Sequence, residues 1–254
     1  MKPSLAVIPL LVFLLVFFYA PFAILAYQSF TGVGGRLTLE NYLTIVRDPS
    51  YTRIVFYSIM IASETTLVTL ALAYPVAYYV ARVSTGREKI LLLALLLTPF
   101  WVDVLLRSLA IKTVIYTIGL KEGFHAMMLG MIYEYFPIML LPLFASLSRI
   151  PDNLLEAARV LGASTRDLLS RVIIPLTLPG IIAGSLLVLL MSMTEFVIPA
   201  LLGGKSGFTV GSLIYYLFLS GGMWGVGAAL AVIITVALMV AAFAVARRTG
   251  EDML

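Results

Sequence analysis

The sequence predicts an all-α protein, a polytopic transmembrane helical bundle of six spans, and three observations predict it. Hydrophobic residues make up 61% of the 254 and charged residues only 12%, with a mean hydropathy of +1.06. A water-soluble chain of that composition would expose far larger apolar patches than soluble monomers tolerate, so the bilayer must be its solvent. Apolar runs of about 20 residues, the length a helix needs to cross hydrocarbon, recur six times. None alternates in the way a barrel strand does, and inside hydrocarbon each backbone N–H and C=O must be satisfied within its own segment, which leaves helices.

The spans fall at about Leu5 to Ser29, Ile54 to Ala81, Ile90 to Ile111, Ala126 to Leu147, Val172 to Leu201 and Trp224 to Ala246. The first is read as a retained span, because its apolar run is longer than the core of a signal peptide and no small-residue cleavage site follows. Pro75, Pro99, Pro137 and Pro142 lie within spans and are expected to kink them. A turn at Gly203, Gly204, Lys205, Ser206 and Gly207 precedes an apolar stretch from Phe208 to Leu219, read as a short interfacial helix on the outer face. With both termini in the cytoplasm, ten of the 17 basic residues lie inside: Lys2, Arg82, Arg87, Lys89, Arg149, Arg159, Arg166, Arg171, Arg247 and Arg248. That bias sets the orientation of a multi-pass membrane protein, read as lying in the cell inner membrane. The formal charge of +4 is then a matter of topology and not of a nucleic-acid partner. The chain reads as one membrane domain, 1–254.

Several chemistries are excluded by what is missing. There is no cysteine, so neither a disulfide nor a thiol nucleophile can form, and the single histidine, His125, cannot build a zinc site alone. Gly204-Lys205-Ser206 imitates the end of a nucleotide-binding loop, but the required first glycine would fall on Pro199. No catalytic residue and no cofactor is assigned to the chain.

The inner loop at 148–175 differs from the other, which is barely a turn around Ser84 to Lys89. Pro151 and Asp152 open a short helix with Leu154, Leu155, Ala158 and Leu161 at helical spacing. Gly162 breaks it, supplying the left-handed residue that a helix stop favours. Ser164 and Asp167 have the form of a capping box and open a second helix, which Pro175 is expected to end where the fifth span begins.

Glu156-Ala157-Ala158, three residues, Gly162, then Val172-Ile173-Ile174-Pro175 resembles the EAA loop of ABC-importer permeases. Thr98-Pro99-Phe100-Trp101 with Arg107, the run Ile174 to Gly184, and Phe196 to Gly204 resemble the spermidine/putrescine permeases, and are shared with thiamine, iron and phosphonate-type relatives. The resemblance implies a type I ABC-importer permease fold. It also implies that Glu156, Ala157, Ala158, Leu161, Gly162, Ala163 and Ser164 form a coupling helix docking on a cytoplasmic ATPase subunit dimer. ATP and Mg would reside on that dimer. A second permease subunit, not identical, and an extracytoplasmic substrate-binding protein would complete the importer, with a polyamine as the leading solute. The connection from Lys112 to Phe124 is shorter than in those permeases, so outer-face contacts are not carried over.

Ionisable residues within spans are costly and mark function by default. Glu64, Asp103, Arg107, Glu134 and Glu195 qualify. Asp103 and Arg107 have the i, i+4 spacing of a helix-face pair, which would leave Glu64, Glu134 and Glu195 uncompensated. Those carboxylates, with the faces of Trp101, Tyr133 and Tyr135, suit a cationic solute. They equally suit hydrogen bonds between helices, or the ion relay of a secondary transporter, which would have no need of the 148–175 loop.

Overall fold

The structure, a computed structural model, describes residues 7–32 and 34–251. Lys2 and Leu5, assigned above to the first cytoplasmic segment and the first span, lie outside the described residues. The chain packs as two compact units. One comprises residues up to Val55 with Leu213–Ala241, and the other Phe56–Ser212 with the residues from Ala242 onward.

The first unit opens with α1, Val7–Ser29, apolar along its whole length. After it an isolated antiparallel bridge between Thr31 and Leu37 closes a turn in which Gly34 and Gly35 take positive φ. The next helix, α2 (Glu40–Arg47), presents Asn41, whose amide donates to the carbonyls of Ser29 and Thr31 and satisfies acceptors that the end of α1 leaves bare. A Cβ at Gly225 would lie 2.6 Å from that amide nitrogen, so close approach requires glycine there.

The second unit holds most of α3 (Pro49–Val83), then α4 (Gly86–Trp101), α5 (Val104–Thr117), α6 (Phe124–Ser148), α7 (Asp152–Val160), α8 (Thr165–Thr194) and α9 (Val197–Leu202). The short apolar α10, Val210–Leu219, and α11, Trp224–Glu251, each contribute to both units. The core is built on α6 against α8. Met127, Met131, Tyr135, Met139, Leu143 and Leu147 of α6 are fully buried at helical spacing. From α8, Gly180 and Gly184 meet that face: a Cβ at Gly180 would stand 2.5 Å from Ser146 Cβ and 2.7 Å from the Pro142 carbonyl. Apolar burial does not drive helices together in lipid, so this small-residue seam, which lets the backbones touch, is what association depends on.

Among the described residues five helices are long and apolar enough to cross a membrane, and a sixth span arises if α4 and α5 count as one. That pair corrects the expectation of a continuous third span over Ile90 to Ile111. The helix turns through 98° between Trp101 and Val104. Pro99 lacks an amide and starts a 3-10 turn, and Asp103, in extended backbone, accepts from the Leu105 N–H at 2.9 Å to begin the next helix. The fifth span is corrected likewise: α8 stops at Thr194, Glu195 is extended, and α9 forms a separate helix. Pro175 does not end the second helix of the 148–175 loop. A wide π turn over Leu168–Ile173 precedes it and makes room for its ring, so α8 runs through without a break. Pro75, Pro137 and Pro142 sit inside unbroken helices.

Candidate functional site

Two groups of residues stand out, both in the second unit: a projecting helix, turn and helix, and a charged cluster where two spans break.

The projection follows local rules. After α7, Gly162 takes φ +84°, and its N–H and that of Ala163 return to the carbonyls of Arg159 and Ala158. Ser164 accepts from the Asp167 N–H and its hydroxyl donates to the Asp167 carboxylate. Only Leu155 of α7 is buried. Glu156 and Ala157 are exposed, Ala158 and Ala163 partly so, and the tip presents Val160 and Leu161 at 88% and 87% exposure. Two such aliphatic side chains on a polar turn leave an apolar knob with no cover of its own. The base of the projection is tied to the end of α3: Arg82 donates one guanidinium N–H to the Ile150 carbonyl at 2.9 Å and another to the Asp152 carboxylate. Sequence reasoning treated Arg82 only as a topology signal, since nothing local to it points across 68 residues.

The buried cluster gathers the break ends. Arg107, 8% exposed, pairs with Glu134 across α5 and α6 at 2.6 Å. The expected Asp103–Arg107 pair is thereby corrected: the guanidinium points at α6, while the exposed Asp103 carboxylate caps α5. Glu134 is therefore compensated. Glu195 has no cationic partner in its hydrogen-bond set but is well satisfied. It accepts from the Tyr135 hydroxyl at 2.9 Å and from the Val197 N–H at 2.8 Å, and so both joins α6 and starts α9. Asp103 and Glu195 are near enough to act electrostatically on Glu134, giving three carboxylates to one guanidinium. Beside them, Tyr133 is exposed on α6 and lines a cavity of about 470 Å³ together with Arg107. Trp101, 89% exposed, stands at the bend. Glu64 is half-buried midway along α3.

Gly204–Ser206 is a 3-10 turn, with the Ser206 carbonyl accepting from the Tyr57 hydroxyl. Gly207 packs so closely on the Pro199 carbonyl that a Cβ would stand 2.0 Å from its oxygen. Tight packing of this kind describes a structural plug and not a phosphate cradle.

Long apolar helices, an uncovered apolar knob at the turn after α7 and charges held beside a broken helix are the features of a multi-pass membrane protein. The chain belongs to the family of binding-protein-dependent transport system inner membrane components, whose sequence pattern matches residues 1–250. It is accordingly a multi-pass inner-membrane protein. It is 36% identical over 218 residues to the spermidine/putrescine transport system permease protein PotB of Escherichia coli K12, covering 79% of this chain and 78% of that one. To the Haemophilus influenzae protein of the same name it is 35% identical over 224 residues, 82% and 78% of the two chains. Its fold matches a bacterial ABC transporter involved in import of the acidic polysaccharide alginate, with a TM-score of 0.73 at 15% identity over 97% of this chain and 94% of that one. The MetNI methionine ABC transporter, inward facing, matches with a TM-score of 0.63 at 17% identity over 79% and 94%.

Proposed function

We propose that this chain is one permease half of an ATP-driven importer of polyamines such as spermidine and putrescine. The observation that carries the substrate is the 36% identity, over nearly four fifths of both chains, to a spermidine/putrescine permease. The excess of carboxylates around Arg107 supports it, because three acidic groups set against one guanidinium in a low dielectric favour a cation over an anion nearby. In the alginate transporter the solute is an acidic polysaccharide, so that likeness of fold carries no substrate across.

The mechanism assigned to each part is physical. The chain itself is non-catalytic, and ATP with its Mg is held by a cytoplasmic ATPase dimer that grips α7 and its turn. Val160 and Leu161 enter an apolar groove of that dimer, Glu156 meets a basic group on it, and Ala157 and Ala158 permit close approach. Gly162, Ala163 and Ser164 fix the elbow. When the dimer closes, α7 moves as a rigid lever, and its two attachments, Arg82 to α3 and the unbroken α8, pass the motion to the broken spans. Glu64, Trp101, Asp103, Tyr133, Glu134 and Glu195 line the route, with the aromatic faces stabilising ammonium groups. A second, non-identical permease closes the pore, and an extracytoplasmic binding protein delivers the solute. The test is uptake of labelled spermidine by proteoliposomes holding this chain, its second permease and the ATPase, with the binding protein added outside. Uptake requiring ATP and all four components is expected. Uptake without the ATPase would overturn the importer, and uptake of only non-cationic solutes would overturn the polyamine.

A further inference from the structure

We infer that Arg107 is a tethered stand-in for the transported cation, occupying Glu134 in the empty carrier and moving to Asp103 when an alkylammonium arrives; the inference rests on the polyamine function proposed above.

Four observations lead to it. Arg107 is nine-tenths buried, yet it makes its ion pair through Nη2 alone, while its buried Nε and Nη1 have no hydrogen-bond partner among the described residues. A structural arginine holding two helices would be expected to use its planar fork on two acceptors, so this one is under-satisfied where it sits. An alternative seat stands at the N-cap of the same helix: Asp103 caps α5 through Oδ1 alone, its carbonyl accepts from the Arg107 N–H at 3.0 Å, which sets the two residues one turn apart, and its carboxylate is near enough to act electrostatically on Glu134. There is also room to move, since the cavity of about 470 Å³ between Leu106, Ala110 and Tyr133 opens beside the guanidinium.

The exchange keeps charge in balance throughout. In the empty carrier Glu134 is never left as a lone buried anion, because Arg107 neutralises it. A primary or secondary ammonium entering the cavity meets Arg107 first; as the guanidinium swings to Asp103, which is in no ion pair among the described residues, the ammonium follows it to Glu134. The incoming cation thus replaces one positive charge on Glu134 and transfers the displaced one to a carboxylate already waiting. Anions and neutral solutes gain nothing from this exchange, so the arginine enforces selectivity by competition.

The test is binding of labelled spermidine to the complete complex of both permeases and the ATPase in nanodiscs, without binding protein. If Arg107 holds Glu134 about nine-tenths of the time, Arg107→Gln tightens spermidine binding about tenfold, by freeing the occupied site. Arg107→Lys keeps a competitor and stays near the wild-type value. Asp103→Asn still caps α5 but removes the second seat, and weakens binding severalfold. In the Arg107→Gln background Asp103→Asn has no further effect, because no side chain needs to be received. That non-additivity separates an exchange partner from direct contact with the solute, in which Asp103→Asn would weaken binding equally in both backgrounds. Should Arg107→Gln fail to assemble, the Asp103→Asn and Arg107→Lys pair decides: unchanged binding in Asp103→Asn overturns the exchange. A wild-type complex that binds and transports no polyamine refutes the polyamine function itself, whereas one that does both while Arg107→Gln binds no tighter refutes only the exchange.

Discussion

The tie between Arg82 and the base of α7 gives a prediction whose size can be worked out. Arg82→Ala removes two contacts of different worth. Asp152 is 84% exposed at its side chain, so its ion pair contributes under about 1 kcal/mol. The N–H to the Ile150 carbonyl is different: the donor is charged, the arginine side chain is only 11% exposed, and such a bond is worth about 1.5–3 kcal/mol. Together the loss is about 2–3 kcal/mol, which multiplies the opening equilibrium of α7 by about 30 or more. Asp152→Asn loses only the smaller share and shifts that equilibrium severalfold at most. Amide hydrogen exchange of residues 150–160 in the nanodisc complex reads the opening directly. Solute transported per ATP hydrolysed reads its consequence, since a loosened lever lets ATP be spent without moving the spans. Raised salt should mimic Asp152→Asn and not Arg82→Ala. Equal effects of the two substitutions, or unchanged exchange in Arg82→Ala, would refute the assignment of the carbonyl bond as the main tie.

Other outcomes follow from the same geometry. Gly180→Val forces α8 away from Pro142 and Ser146 and is expected to cost roughly 1–3 kcal/mol by overpacking, seen as a fall in thermal stability in detergent, whereas the same change at Gly222, with open space around it, is felt only through its φ of +62°. Leu161→Asp puts a charge on the exposed knob, and co-purification of the ATPase should be lost while this chain's own melting point stays unchanged. Glu122, in the connection before α6, accepts from Lys112 at 2.7 Å and from the Tyr116 hydroxyl at 2.8 Å, and the Lys112 bond, then the Tyr116 bond, hold its carboxyl below the ordinary carboxylate value. A depressed folded value means that its contribution is complete above the unfolded carboxylate pKa and fades as pH falls through the folded one. Melting temperature should therefore drop on acidification below about pH 4.5, less steeply in Glu122→Gln.

What could be read in advance was what local chemistry decides. Gly162 and the Ser164–Asp167 box announced the turn between α7 and α8 because a left-handed residue and a cap act within four positions. Leu5 to Ser29 announced a span by length and apolarity alone. The break after Trp101 was not legible, because the leucines and valines on either side suit one straight helix as well as two. Pro99 signals a kink but not a turn of 98°. Pro175 misled in the other direction, since a π turn, which no residue type specifies, absorbed its ring. Asp103 and Arg107 had the right spacing for a pair, yet spacing does not reveal that Glu134, 27 residues away, offers a buried partner.

The two breaks share a device that bears on which carboxylates remain for a solute. Each follows the end of an apolar helix, and each starts the next with an acidic side chain that accepts the first free N–H groups: Asp103 for α5, Glu195 for α9. Those N–H groups have no partner within the helix they begin, so a carboxylate at that position lowers the cost of the break and at the same time deposits negative charge beside it. The charges near the bend are therefore not spare. Glu195 has one oxygen on α9 and the other on Tyr135, which leaves it poorly suited to release either for a passing cation. Glu134 caps no helix, and its bound partner is a side chain, Arg107, and not a backbone N–H. Glu195→Ala should damage folding and transport together, while Glu134→Gln should cost about 3–5 kcal/mol of stability, because the buried guanidinium loses its counter-charge, and should abolish spermidine binding in the complex that still assembles. Retained binding in Glu134→Gln would move the solute's anchor to Glu64 and end the case for Glu134.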